Sequence, residues 1–137
     1  MDDLVQWLRA QLDEDERIAR AATAGPWTAM GQGVLDPSPP SNRLGIGMAV
    51  GHAAASADYN ETAEHIARHD PARVLREIDA KRQIIALHHQ LEDAQEMLDF
   101  CATCDATGKY PEYPCTTLRL LALPYADRPG YREEWRP

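Results

Sequence analysis

Three cysteines, Cys101, Cys104 and Cys115, carry the spacing that points most directly to chemistry. Cys101-x2-Cys104, with Cys115 after ten intervening residues, is a partial zinc pattern. Zinc takes four tetrahedral ligands, commonly thiolates and imidazoles. His88 is the first choice for the fourth, ahead of its neighbour His89, because it lies on the Ile85–Leu91 side of the helix expected there. The choice carries a condition. His88 precedes Cys101 by thirteen positions, about 20 Å along a continuous helix. The helix must therefore break between His89 and Phe100, and nothing in LEDAQEMLDF is a breaker. A second reading is equally concrete. Cys101 continues the stripe of Ala94 and Leu98, Cys104 follows one turn on, and small buried thiols are ordinary core residues. A redox pair at Cys101 and Cys104 is a third reading, without the βαβ pattern of a thioredoxin-like protein around it. Zinc is the cofactor candidate, and the first two readings stay open.

Other constellations are weaker. His65 and His69 are spaced i, i+4 and can share a helix face, with Glu61 or Glu64 as a possible third metal ligand. With Asp70 they also form the candidate set for a small hydrolase, which clustering of the three around a pocket with perturbed pKa values would support. His69-Asp70 fits equally well as a turn between two helices. Asp13, Glu14, Asp15 and Glu16 are adjacent on a helix, point in different directions, and read as a solvated face. Gly45, Gly47 and Gly51 lack the spacing of a dinucleotide loop. Ser38, Ser41 and Ser56 sit in no nucleophile-elbow pattern.

The element that must position the cysteines is a long helix. Asp70 is a natural N-cap and Pro71 suits the first helical position. Val74, Ile78, Ile85 and His88 form one stripe, and Ile84, Leu87, Leu91, Ala94 and Leu98 a second. No Gly or Pro intervenes before Gly108, so the pattern predicts a helix over about 71–105, with Ile78, Ile85, Leu91 and Leu98 buried. A first helix spans 2–22, with Leu4, Leu8 and Leu12 on its inner face. Gly25-Pro26 breaks it, and Trp27 folds back on it. Residues 28–42, with their Gly, Pro and Ser, read as a mobile loop. Residues 45–52 alternate as a strand, which 27–30 could pair with as a hairpin. A short helix runs over 60–68 with Ala63, Ile66 and Ala67 inward, and a last one, capped by Thr116, over 117–123. Residues 125–137, with Tyr125, Tyr131 and Trp135, form an aromatic C-terminal strap.

The fold class is thus α+β, predominantly α: a helical core of the long helix packed with N- and C-terminal helices, plus a small β-hairpin. At 137 residues a single domain is expected. The net charge of −8 makes a nucleic-acid partner unfavourable, because phosphate contacts need clustered Lys and Arg. Arg73, Arg76, Lys81 and Arg82 could form a local basic patch but read as a solvated face. No stretch reaches the ~20 apolar residues of a membrane helix, and the N-terminus lacks a charged n-region and apolar h-region, so neither a membrane nor a signal peptide is expected. An odd cysteine count suits reduced thiols or metal ligands in the cytoplasm.

Three blocks carry a family resemblance. ARAATAGPW (19–27), HIARHDPARVLREIDAKRQII (65–85) and TLRLLALPYADRPGYREEWRP (117–137) resemble a family of small uncharacterised actinobacterial proteins, frequent in streptomycetes. The first two blocks are more loosely similar to phage early-region, Ead-like proteins. The resemblance implies no activity and no catalytic residues, and in such proteins the cysteines are optional. The reading that follows is a non-enzymatic cytoplasmic interaction or regulatory protein of mobile-element origin, whose partner is another protein or a second copy of itself. The alternatives are a zinc-supported structural module built on Cys101, Cys104 and Cys115, and the hydrolase of His65, His69 and Asp70.

Overall fold

The computed structural model describes residues 3–30, 33–36, 48–52, 59–93, 98–104 and 113–137. Its elements are, in order, α1 (Asp3–Ala21), β1 (Thr28–Met30), β2 (Gly33–Asp36), β3 (Met48–His52), α2 (Tyr59–Arg68), α3 (Pro71–Leu87), β4 (Gln90–Asp93), β5 (Leu98–Cys101) and α4 (Thr116–Ala122). Two 3-10 turns follow, at Leu123–Tyr125 and Glu133–Trp135. The class is α+β, predominantly α. The chain divides into two compact units, residues 15–78 and residues 1–14 with 79–137.

In the unit of residues 15–78, β1, β2 and β3 form an antiparallel sheet in that order. The expected loop over 28–42 is therefore corrected for 28–30 and 33–36, which are strands; residues 31–32 and 37–42 lie outside the described residues, as do 45–47 of the expected strand. The expected pairing is corrected too, since β2 lies between β1 and β3. Short strands in Gly-rich sequence are stabilised here by packing. Val34 of β2 is buried with Ala63 and Ala67 of α2, and Trp27, Ala29 and Ile66 pack against them. The Trp27 ring thus joins this cluster, while its Nε1 donates to the carbonyl of Thr23 just past α1 (2.9 Å).

Asp70 organises the turn into α3. Its Oδ1 accepts the Arg73 backbone N–H at 2.8 Å, satisfying one of the free donors of the first turn. Its Oδ2 accepts the Trp27 backbone N–H at 3.2 Å. A Cβ at residue 25 would come within 2.6 Å of Oδ2, so Gly25 is required for that close approach.

The other unit buries Leu4, Val5, Leu8 and Leu12 of α1, Ile85 of α3, Leu118 and Ala122 of α4, and Tyr125 and Trp135 of the tail. The tail docks as a strap on α1. Trp7 meets Tyr131 edge-on at 5.6 Å and Trp135 at 5.5 Å, and its Nε1 donates to the Pro129 carbonyl at 3.1 Å. Gly130 has φ +86°, and a Cβ there would lie 2.9 Å from Trp7 Nε1. Arg132 pairs with Asp3 at 3.1 Å and lies over the Trp135 ring. Lys81 of α3 reaches the Tyr125 hydroxyl at 2.9 Å, and Arg82 pairs with Asp13 of α1 at 2.6 Å.

The long helix is the main correction. It starts at Pro71 as expected and ends at Leu87, not near 105. Residues 90–93 and 98–101 pair instead as an antiparallel hairpin, with Leu91 opposite Phe100 and Gln90 opposite Cys101. Ile78 and Ile85 are buried as expected, Leu91 is 39% exposed, and the Leu98 side chain lies outside the described residues, as does Gly108. The physical reason is a non-local competitor for the helix end. The Thr103 hydroxyl donates to the Leu87 carbonyl, and the Ala102 N–H donates to the His89 carbonyl at 3.0 Å. Helical propensity is a weak prior against such partners.

Two stability changes are expected. Trp135→Ala removes a buried ring from the strap and should cost roughly 3–5 kcal/mol in denaturant unfolding. Asp70→Ala should cost roughly 1–2 kcal/mol by the loss of its cap. An unchanged unfolding midpoint for Trp135→Ala would show the strap to be passive.

Candidate metal centre

The end of α3 sets the first group of the site. The His88 N–H still bonds back to the Ile84 carbonyl at 3.0 Å, but His88 lies one residue past the helix. The chain then turns into β4, so the rise of a continuous helix no longer separates His88 from the cysteines. β5 ends at Cys101, and the Cys-x2-Cys turn follows directly, carrying Cys104. Cys115 is the N-cap residue of α4, with extended backbone (φ −69°, ψ 163°). The expected cap was Thr116, which is instead the first helical residue.

Tertiary structure brings these four residues together. The ligand atoms of His88, Cys101, Cys104 and Cys115 all lie within 4.8 Å of one another. His88 Nδ1 is 3.3 Å from Cys101 Sγ, and 3.5 Å from both Cys104 Sγ and Cys115 Sγ. A tetrahedral zinc with Zn–S of about 2.3 Å and Zn–N of about 2.0–2.1 Å sets S···N edges of about 3.6 Å. The observed separations fall close to that edge. Hydrogen bonding alone accounts poorly for the arrangement. One imidazole nitrogen offers a single lone pair or a single N–H, and cannot serve three sulfurs at once. A cation shared by the four groups satisfies all of them.

The site is enclosed on one side. Cys101 and Cys115 are 0% and 1% exposed, while His88 and Cys104 are half-buried. Burial pushes the Cys101 thiol up, but the backbone N–H groups of Cys104 and Thr103, then the thiols of Cys115 and Cys104, outweigh it and leave its pKa below the ordinary value. Burial pushes the Cys104 thiol up, and its neighbours Cys101 and Cys115 push it further, to about 12. The sulfurs beside Cys104 disfavour its ionised form, and a bound cation would invert that balance. The four side chains are close enough together that they could hold a metal ion. The two backbone donors to Cys101 and the Thr103–Leu87 tie are contributions that residue types alone did not single out; the Cys-x2-Cys turn was their only sequence signal.

The remaining candidates fall elsewhere. His65 of α2 and His69, one residue past its end, have ring centroids 4.3 Å apart, as their spacing implied. His69 Nδ1 faces the His65 carbonyl at 2.7 Å, and both Asp70 oxygens hold backbone N–H groups. Asp70 thus acts as a cap and orients neither imidazole. Both imidazoles line a groove together with the charged Glu61, Glu64, Arg68 and Arg73. The basic residues of α3 are dispersed. Arg73 pairs with Glu77 at 2.7 Å, and Lys81 and Arg82 are held by Tyr125 and Asp13.

A protein-family match spans residues 1–137. The chain belongs to DUF6221, a family of unknown function. No curated protein and no solved structure matches it. Among the described residues of this DUF6221 chain, the His88–Cys101–Cys104–Cys115 group is the one set of three or more such side chains with metal-binding spacing, and no helix is long and apolar enough to cross a membrane.

The tie between the turn and the helix end makes a separate prediction. Thr103→Val should cost about 1 kcal/mol, the typical net worth of one hydrogen bond, and Thr103→Ser should restore it. Equal unfolding midpoints for Val and Ser would remove Thr103 from the account of why α3 ends where it does.

Proposed function

We propose that this chain is a small zinc-supported, non-enzymatic module, in which a Cys3His centre pins the β4–β5 hairpin and the end of α3 to the start of α4. The observation that carries the reading is the convergence of four ligand atoms within 4.8 Å. Thiolate and imidazole donors in a tetrahedron suit zinc above the hard divalent cations. Four protein ligands leave no open coordination position, which is the mark of a structural site as opposed to a catalytic one. The module's role is then to hold a surface. Leu87 and Leu91, 63% and 39% exposed on either side of His88, support a protein partner or a second copy. The acidic charge of −8 supports a partner other than nucleic acid. A cytoplasmic, actinobacterial and mobile-element setting is part of this proposal, supported by the three resembling blocks and by an odd set of free thiols. The hydrolase reading has the weaker support, because Asp70 is committed to backbone amides.

Elemental analysis tests the zinc. Protein purified without added metal should carry about one equivalent, as expected of a structural site. Binding must stabilise the fold, so chelation should lower the melting temperature by on the order of 10 °C. Cobalt in place of zinc should show thiolate charge-transfer absorption. Cys115→Ser and His88→Ala should each weaken binding more than about 100-fold, since changes outside the ligand set alone cost 10–100-fold. Less than about a tenth of an equivalent of zinc, with the fold intact and indifferent to chelator, would return the cysteines to ordinary core packing.

A further inference from the structure

The four ligands are not equally protected. Cys101 and Cys115 are sealed at 0% and 1% exposure, whereas Cys104 is half-buried and meets solvent. Sulfur oxidation follows thiolate character and access. Zinc supplies the first equally to all three thiols, so access decides among them. Both potential resolving sulfurs lie within 4.8 Å of Cys104, in the same cluster.

We infer, resting on the zinc reading, that Cys104 is a modification site at which a peroxide-class oxidant opens the metal centre. The Cys104 thiolate attacks one oxygen of hydrogen peroxide. An S–O bond forms, the O–O bond breaks, and the leaving hydroxide takes a proton to become water. The sulfenic acid produced is neutral and a poor zinc ligand. The thiolate of Cys101 or Cys115 then attacks that sulfur. The S–S bond forms, the S–O bond breaks, and the second hydroxide leaves as water after taking a proton. Two thiolates have given two electrons to the peroxide, and zinc has kept its oxidation state. One thiolate and His88 remain, too few to hold a structural zinc. The ion leaves, and the turn after β5 is no longer held to α4 through it. A disulfide is the reversible rung of the oxidation ladder, so a reductant and zinc restore the centre.

The test uses the zinc-loaded full chain and hydrogen peroxide near stoichiometry. Released zinc is read with a chromophoric chelator, and the thiols are mapped by alkylation and peptide mass analysis. The expected result is release of the bound zinc, loss of two hydrogens from the chain mass, a disulfide that includes Cys104, and recovery with reductant plus zinc. Cys104→His keeps four ligands and removes the accessible thiolate, and should slow zinc release about tenfold or more. Release as fast from Cys104→His as from the wild type overturns the inference. If that variant holds no zinc, the wild-type map decides: a Cys101–Cys115 disulfide with Cys104 alkylated overturns it, and Cys104 in the disulfide supports it. Zinc present at the start and retained under peroxide overturns this inference alone. A chain purified without zinc overturns the zinc reading and this inference with it.

Discussion

The last turn of an α-helix leaves carbonyls that the helix cannot satisfy. In α3 the carbonyl of Leu87 is taken by the hydroxyl of Thr103, from the turn that carries Cys101 and Cys104. The neighbouring His89 carbonyl is taken by the Ala102 N–H at 3.0 Å. These contacts fix three things together. They stop the helix at Leu87, they turn His88 off its axis, and they seat the Cys-x2-Cys turn beside it. Everything in the candidate centre depends on that closure. If α3 continued through residue 101, His88 and Cys101 would stand about 20 Å apart.

Around this closure each unit follows ordinary packing. The strap of Tyr131 and Trp135 adds aromatic area to an α1 face already lined by Leu4, Leu8 and Leu12, and Trp7 joins the two by a hydrogen bond and two ring contacts. Asp70 does for the start of α3 what Thr103 does for its end, holding a backbone donor of its own first turn and one of the Gly25–Trp27 turn. Short polar side chains at helix ends thus connect segments far apart in sequence. The surface ion pairs Arg68–Glu64 and Arg73–Glu77 are exposed and contribute little by comparison.

The candidate centre also shows how a site can be underdetermined by local chemistry yet overdetermined by geometry. Each cysteine alone is a small residue fit for a core. Three of them around one imidazole nitrogen, at 3.3 Å, 3.5 Å and 3.5 Å, place four donors where a core needs none. An apolar core could be filled by Ala or Val at such positions. That close approach of four potential ligand atoms is compatible with a metal site.

Much of the fold was legible in the residues. The α1 face, the Asp70-Pro71 start of α3, the inner face of α2 at Ala63, Ile66 and Ala67, and the aromatic strap all follow from period, caps and composition, which act within a few residues. The cysteine spacing and His88 were legible as a candidate group, and the structure brings those four side chains together. The end of α3 was not. LEDAQEMLDF carries good helix formers, and its Leu-Asp-Phe alternation is a short strand signal that the helical period outweighed. The same holds for β1 and β2, whose strands in Gly-rich sequence rest on α2. In both places the deciding partners are distant in the chain: Gln90 pairs with Cys101, Thr103 with Leu87, and Val34 with Ala63 and Ala67. Local sequence set which residues could serve as ligands. Only long-range hydrogen bonding and packing set where the helix stops, and with it whether those residues meet.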